Sequence, residues 1–306
     1  MNDTMSNFIS VKSVRAFRDG TEEERGSSSH VRHFRGSRSP QSHGNIKPML
    51  RMKVTGNLKA LSCLLVVQLF CAGSALSSSR RQPTKLPHIV LWAWERPEDL
   101  RFIDPQKVAV AFLASSIELS GDRVLVQPRL QPLRIPEGTT LIGVVRITTD
   151  IRSIPLLSAG QMRVTAGDIL KIIRTADVRG IQIDFDATKS ERPFYHELLT
   201  ALRRKLPDSI SLSITALASW CLYDTWIADL PLDDAVPMLF RLGPDRLQIL
   251  GRLKAGGDFS IPICRHSVGI STDEPVPAIP SNRRIYIFSP HPWSRESFES
   301  MMKEIK

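Results

Sequence analysis

The chain has 306 residues, of which 42% are apolar and 24% charged, a composition that allows a sizeable buried core. Its net charge of +10 is concentrated near the amino terminus, because residues 1–82 hold 13 Lys/Arg and 5 Asp/Glu and leave residues 83–306 at only +2. A nearly neutral domain lacks the electrostatic footprint of a nucleic-acid-binding protein, so we expect no nucleic-acid partner.

Three amino-terminal segments are not assigned to the folded domain. Residues 1–48 are rich in Ser, Arg, His and Gly without an apolar period, so we predict that they are disordered and lie upstream of the true start. Residues 49–75 have the layout of a secretory signal peptide, with two lysines before an apolar run and small residues at its end. Residues 76–85 are then a linker.

The apolar run of this signal, Leu61 to Ala72, is too short to cross a bilayer comfortably, which disfavours the alternative of a single transmembrane anchor. We therefore expect a secreted or periplasmic protein with no stable membrane span after cleavage. Two of the four cysteines, Cys221 and Cys264, lie in the exported part. Export permits a disulfide between them; two separate buried thiols are the alternative, and the spacing does not decide.

From residue 86 onward, strand-like and helix-like segments alternate. Eight apolar runs are predicted as strands, at Ile89–Trp94, Val108–Leu113, Leu141–Ile147, Gly180–Asp186, Ser211–Leu217, Ala235–Phe240, Ile261–Ser267 and Arg284–Ser289. Helices are predicted at 166–176, 193–206, 226–230, 244–254 and 297–305. This alternation predicts parallel strands with crossover connections, and eight units over 86–306 fit a (β/α)8 barrel of the TIM type, an α/β fold. An open doubly wound sheet is the competing architecture.

Two connections are predicted to be irregular. The segment 117–126, after the second strand, has the pattern of a hairpin around Ser-Gly-Asp and not that of a helix. The segment 272–283, after the seventh strand, is rich in Pro and is predicted to lack a proper helix.

The fourth predicted strand carries the strongest functional signal. Side chains alternate along a strand, so Gln182, Asp184 and Asp186 would share one face while apolar side chains fill the other. Carboxylates on residues about 6.5 to 7 Å apart influence each other's protonation, which can give a site one protonated and one ionised carboxyl group. The fifth strand offers hydroxyls that can hydrogen-bond these acids, from Ser211, Ser213 and Thr215.

Barrel enzymes draw their reacting groups from the carboxyl ends of the strands and from the loops that follow. We predict Asp186 as the proton donor and Asp184 as the group that tunes it. The candidates for a second carboxylate, acting as base or nucleophile, are Glu95, Asp150, Asp273 and Glu274. The side chains expected to bind substrate are Trp94, Arg146, Trp220, Arg241, His266, His291 and Trp293. Indole rings suit stacking on sugar faces, and Arg241 and Arg265 are expected to pair with carboxylates in preference to an acidic substrate group.

The fourth strand resembles that of the chitinase-like glycoside hydrolases of family eighteen. In those barrels the pattern Asp-x-x-Asp-x-Asp-x-Glu ends in the catalytic acid. Laid on this chain, the pattern falls on Arg179, Gln182, Asp184 and Asp186, of which Asp184 alone is unchanged. The resemblance implies a carbohydrate substrate and places the acid at Asp186.

A second resemblance, from Leu86 to the carboxyl terminus, is to an uncharacterised bacterial family of secreted proteins with a domain of unknown function. The segments that carry it are Ile183–Ala187, Leu217–Cys221, Val236–Arg241 and Ser271–Pro275. This resemblance implies the barrel and brings no reaction with it.

These observations lead to the hypothesis of an exported barrel that binds a carbohydrate, or another small polar substrate, and hydrolyses a glycosidic bond without a cofactor or metal. One alternative is a metal-assisted hydrolase that uses Asp184, Asp186, His266 and His291, since carboxylates and imidazoles suit several divalent ions. The other alternative is a catalytically inactive barrel that serves as a glycan-binding or assembly module. The sequence leaves the oligomeric state open.

Overall fold

The computed structural model describes residues 86–305. The disordered segment, the signal peptide and the linker predicted for residues 1–85 lie outside the described residues. Within residues 86–305, none of the helices is long and apolar enough to cross a bilayer.

Eight parallel strands close into a barrel. The described residues contain eleven strands in all: β1 (Ile89–Ala93), β2 (Glu98–Asp99), β3 (Val108–Ser120), β4 (Arg123–Pro128), β5 (Leu133–Arg134), β6 (Leu141–Thr149), β7 (Gly180–Asp184), β8 (Ser211–Leu217), β9 (Asp234–Met238), β10 (Ser267–Ser271) and β11 (Arg284–Phe288). The barrel follows the order β1-β3-β6-β7-β8-β9-β10-β11, and β11 pairs with β1 to complete the ring. This closure confirms the (β/α)8 prediction against the open doubly wound sheet.

Within residues 86–305 there are five α-helices, four between strands and one after β11. They are α1 (Ala159–Thr175), α2 (Arg192–Lys205), α3 (Ala218–Leu222), α4 (Arg246–Lys254) and α5 (Arg295–Glu304). Helix α1 begins two turns before its predicted start, because Ser158 accepts a hydrogen bond from the Gln161 amide while the Gln161 side chain accepts one from the Ser158 amide. This capping box satisfies amides that the first turn otherwise leaves unpaired, and it needs no apolar period.

Both predicted irregularities are confirmed. Strands β3 and β4 form an antiparallel hairpin whose turn contains Gly121, with φ of 53°. Between β10 and β11, residues 272–283 contain no helix. The short strands β2 and β5 form a separate parallel pair.

The apolar core has two parts, one on each face of the barrel wall. The larger part lies between the strands and the surrounding helices and includes Ile183, Phe185 and Tyr195. The smaller part fills the barrel interior and includes Trp92, Val144 and Val236. Because strand residues alternate between the two faces, strands that are buried on both sides form long apolar runs, which is the pattern of a parallel barrel.

Cys221 and Cys264 form a disulfide in the structure. Cys221 in α3 and Cys264 in the 3₁₀ turn Pro262–Arg265 are both fully buried, with Cα atoms 5.9 Å apart. The bond joins the connection after β8 to the segment before β10. The structure thus resolves the alternatives of a disulfide and two separate thiols.

Candidate functional site at the carboxyl end of the barrel

A row of polar side chains crosses four adjacent strands at the carboxyl end of the barrel, which we call the mouth. Ser116 of β3 is in register with Arg146 of β6, and Arg146 is in register with Asp184 of β7. On the next strand, Thr215 Oγ1 donates a hydrogen bond of 2.7 Å to Asp184 Oδ1. The hydroxyl-to-acid bond expected between the fourth and fifth strands is therefore present.

The two predicted acids differ in their backbone setting. Asp184 is the last residue of β7, while Asp186 lies two residues beyond it in an irregular segment, so the predicted strand ends earlier than Asp186. Both side chains are half-buried. Burial first, and then the negative charges of Asp184 and Asp186, raise the pKa of Tyr195 well above its usual value.

Below the mouth, the barrel interior is closed by Trp92. Its Nε1 donates a hydrogen bond of 2.8 Å to Oε1 of the fully buried Gln182, whose Nε2 lies 3.5 Å from Ser213 Oγ. The indole also packs against Tyr286, with ring centroids 5.2 Å apart. Gln182, one of the changed positions in the family-eighteen pattern, thus holds the core tryptophan in place.

Two of the candidate second carboxylates are held in ion pairs. Arg241 Nη2 lies 2.5 Å from Asp273 Oδ2 and Arg241 Nη1 lies 2.6 Å from Glu274 Oε1, while Arg246 contacts the other Glu274 oxygen at 2.5 Å. Burial alone would raise the pKa of each acid, but hydrogen bonds have the larger effect and lower it. For Asp273 these hydrogen bonds come from the side chains of Arg241 and Ser271. For Glu274 they come from the backbone amide of Arg241 and from the side chains of Arg246 and Arg241. Arg241 pairs with carboxylates, as expected.

The other two candidates have different surroundings. Asp150 accepts hydrogen bonds from the Arg152 amide at 2.8 Å and from Ser120 Oγ at 3.1 Å, which ties it to the tip of the hairpin. Glu95 is exposed just after β1 and lines an open cavity of about 340 Å³ beside the hairpin. Of the four candidates, Glu95 is the one that lines this cavity.

The structure places the three predicted rim tryptophans in packed positions. Trp220 is 2% exposed and packs edge-on against Trp226 outside the barrel wall. Trp293 is 5% exposed, and its Nε1 donates a hydrogen bond to the Trp92 carbonyl. Trp94 belongs to the interior cluster and packs edge-on against Phe288. Large aromatic side chains bury much apolar area, which explains why these three tryptophans are buried in the core instead of exposed at the rim.

The histidines lie apart from each other. The seventh strand runs from Ser267 to Ser271 instead of over the predicted Ile261–Ser267, so Arg265 and His266 precede it and lie at the amino end of the barrel. Five strand residues span about 13 Å, so His266 is remote from Asp184. His291 is exposed in the segment after β11. Among the described residues, no group of three His, Cys, Asp or Glu side chains is arranged to hold a metal.

Sequence reasoning missed Arg129, which organises one side of the mouth. Its guanidinium donates hydrogen bonds to the carbonyls of Ala93, Trp94, Arg96 and Gln131. These bonds join the loop after β1 to the segment after β4. The sequence offered no signal for this role, because the partners are backbone carbonyls and three of the four lie more than 30 residues away.

Comparisons with known proteins agree with the resemblance to an uncharacterised domain. Residues 137–231, which contain Arg146, Asp184 and Asp186, match the model of a family described as a domain of unknown function, DUF3142. The comparison with curated proteins found no match.

Two solved structures match this chain at low sequence identity. One, described as "putative Chitinase A from Streptomyces coelicolor", is 11% identical with a TM-score of 0.48, and the match covers 71% of this chain and 96% of that one. The other is the Bacillus cereus spore cortex-lytic enzyme SleL, 16% identical with a TM-score of 0.38, covering 62% of this chain and 52% of its own. The strand order of this chain establishes the barrel independently of both.

Proposed function

We propose that the chain binds a glycan at the mouth of the barrel and hydrolyses a glycosidic bond, with Asp186 as proton donor and Asp184 as its partner. The observation that carries the proposal is the placement of the two carboxylates. Both lie half-buried at the carboxyl end of β7, where barrel enzymes place their reacting groups, and Thr215 orients Asp184.

For the second carboxylate we propose Glu95. Asp273 and Glu274 are engaged by Arg241 and Arg246, so their oxygens are already committed to ion pairs. Glu95 instead lines the open cavity at the same end of the barrel. Its separation from Asp186 in the substrate complex would set the stereochemistry: about 5 Å for retention and about 6.5 to 9.5 Å for inversion.

We also propose that the protein acts after export. The disulfide between Cys221 and Cys264 supports this, because such bonds persist in oxidising compartments and are rare in the reducing cytosol. The layout of residues 49–75 supports it independently.

The test is turnover of a panel of purified polysaccharides by the parent protein and by Asp186→Asn. We expect the variant to lose roughly 10²- to 10⁴-fold in rate, the range for removal of a general acid. Asp229→Asn is the matched control, since Asp229 is exposed in the turn before β9, at the opposite end of the barrel. Parent-like turnover by Asp186→Asn would remove Asp186 from this role.

One observation favours a second candidate, an inactive glycan-binding barrel. The ion pairs of Asp273 and Glu274 leave fewer free acids at the mouth than a two-carboxylate mechanism could draw on. Glycan binding without turnover of any substrate in the panel is the result expected for this candidate.

A further inference from the structure

A buried glutamate holds the segment that carries Asp186. We propose that Glu191 is a positioning residue, whose carboxylate fixes the connection between β7 and α2 against the end of β6 and so fixes the proton donor. This inference rests on the proposed function and adds to it a residue that acts on the reaction through Asp186.

The connection between β7 and α2 is irregular. Strand β7 ends at Asp184, residues 185–188 follow, and the 3₁₀ turn Lys189–Glu191 leads into α2. The Ala187 amide donates a hydrogen bond of 2.8 Å to the Phe185 carbonyl, which turns the chain without joining it to a neighbouring strand. Loops that carry reacting groups depend on the scaffold around them for their position.

Both carboxylate oxygens of Glu191 accept hydrogen bonds. Thr149 Oγ1, on the last residue of β6, donates to Oε1 over 2.7 Å, and the Thr188 amide donates to Oε2 over 2.7 Å. All three residues are buried. Thr188 lies two residues after Asp186 in the chain, so one side chain joins the segment of Asp186 to the neighbouring strand.

The burial of Glu191 indicates that its hydrogen bonds matter. Taking an ionised carboxylate out of water is costly unless hydrogen bonds compensate for it. An apolar side chain would fill the same space without this cost, but it would not hold the backbone at Thr188. Buried polar groups whose hydrogen bonds are made rigidify their surroundings, so Glu191 favours one precise position of the segment.

The next residue holds the segment from its other side. The guanidinium of Arg192 forms an ion pair with Asp224, and its Cζ lies 5.1 Å from the ring centroid of Trp226. Both partners belong to the connection between β8 and β9. Glu191 thus ties the segment to β6 and Arg192 ties it to the connection after β8, so Asp186 is carried by a backbone held from two sides.

The kinetic test compares two substitutions of Glu191 on the substrate found in the polysaccharide panel. Glu191→Leu retains side-chain bulk and loses both acceptors, while Glu191→Gln keeps an acceptor for the Thr188 amide and an amide that can donate to Thr149. Because small displacements of a reacting group slow a reaction strongly, Glu191→Leu should lower kcat about tenfold or more. Its KM should stay within about twofold of the parent value, and Glu191→Gln should keep at least about a third of the parent kcat.

Amide hydrogen exchange provides a readout that needs no turnover. Peptides that cover residues 185–191 should exchange about tenfold faster in Glu191→Leu than in the parent or in Glu191→Gln. Glu197→Leu is the matched control, because Glu197 is exposed on α2, and it should keep the kinetics and the exchange of the parent. If Glu191→Leu does not fold, Thr149→Val takes its place, since it keeps the shape and removes the hydroxyl donor; the same changes are expected.

A parent-like kcat for Glu191→Leu, or for Thr149→Val where it takes that place, overturns this inference. So does an equal kcat for the Leu and Gln variants, or unchanged exchange of residues 185–191. In each of these cases the role of Asp186 stands on its own turnover test. No turnover of the panel by the parent protein overturns this inference and the proposed function together.

Discussion

Thr215 Oγ1 donates a hydrogen bond to Asp184 Oδ1 over 2.7 Å, from β8 to β7, and Thr215 itself is only 4% exposed. A buried hydroxyl that donates to a half-buried carboxylate holds that carboxylate in one rotamer. Hydrogen bonds to charged groups contribute about 1.5–3 kcal/mol.

Thr215→Val, which keeps the shape and removes the donor, should lower kcat/KM for the hydrolysed glycan about tenfold, because Asp184 is no longer held. Thr215→Ser retains the hydroxyl and should restore most of the activity. Steady-state kinetics of both variants on the substrate found in the polysaccharide panel provide the measurement. Equal activity of the Val and Ser variants would contradict a positioning role for the hydroxyl.

Gln182→Leu should destabilise the barrel by about 1–3 kcal/mol, because it leaves the buried Nε1 of Trp92 without its acceptor. Urea unfolding followed by tryptophan fluorescence measures the loss. In the double variant Trp92→Phe/Gln182→Leu, the loss should be smaller than the sum of the two single losses, since donor and acceptor are removed together. Strict additivity would mean that this hydrogen bond contributes nothing.

Replacing both Cys221 and Cys264 by Ala should lower the free energy of unfolding by about 2–4 kcal/mol, because the bond closes a loop over a sequence separation of 43. The check is the thermal transition of the parent with and without a reductant, compared with the double variant. A reductant that reaches the bond as the protein unfolds should lower the transition temperature of the parent. It should leave the transition temperature of the double variant unchanged. A parent transition that equals that of the variant under oxidising conditions would contradict the bond.

Arg241→Asn should destabilise the protein by about 1–3 kcal/mol at pH 7, because Asp273 and Glu274 lose their shared cation. Asn is chosen because Arg241 has a φ of 55°, a conformation that Asn tolerates. The pKa values of both acids are lowered in the folded protein, so their ion pairs stabilise it fully above the usual carboxyl pKa and lose this effect as the pH falls.

The difference in unfolding free energy between the parent and Arg241→Asn should therefore be largest near neutral pH and shrink below about pH 4. Arg101→Asn is the control, because Arg101 forms an exposed ion pair with Asp99, and loss of an exposed pair should change the free energy of unfolding much less than Arg241→Asn does. A pH-independent difference for Arg241→Asn would indicate that lost packing, and not charge, is responsible.

Much of the barrel was predictable because its signals are local. A strand such as β1 is buried on both faces, so its apolar run stands out, and Ser-Gly-Asp at the hairpin tip marks a turn whatever surrounds it. The pair Asp184 and Asp186 could be located in the same way, because two acids directly after a buried run are visible in the chain itself.

The seventh strand was misplaced for a reason that only the packed interior explains. The real strand, Ser267–Ser271, has Ser, Gly and Ser at alternate positions, and Gly269 is required because a Cβ there would lie 2.9 Å from Cη2 of Trp92. The more apolar segment before it, from Ile261, instead packs outside the barrel wall and forms the disulfide. Side-chain volume inside the barrel, contributed by a residue far away in sequence, overrode the local pattern.

The amino-acid sequence by itself determined the order of strands, the hairpin and the position of the acid pair, since each depends on neighbouring residues and on the periodicity of one segment. The tertiary structure alone decided which groups meet: Thr215 with Asp184, Arg241 with Asp273 and Glu274, and Trp293 with the core. These contacts join segments distant along the chain, and their formation depends on barrel closure and register, which no local window of sequence contains.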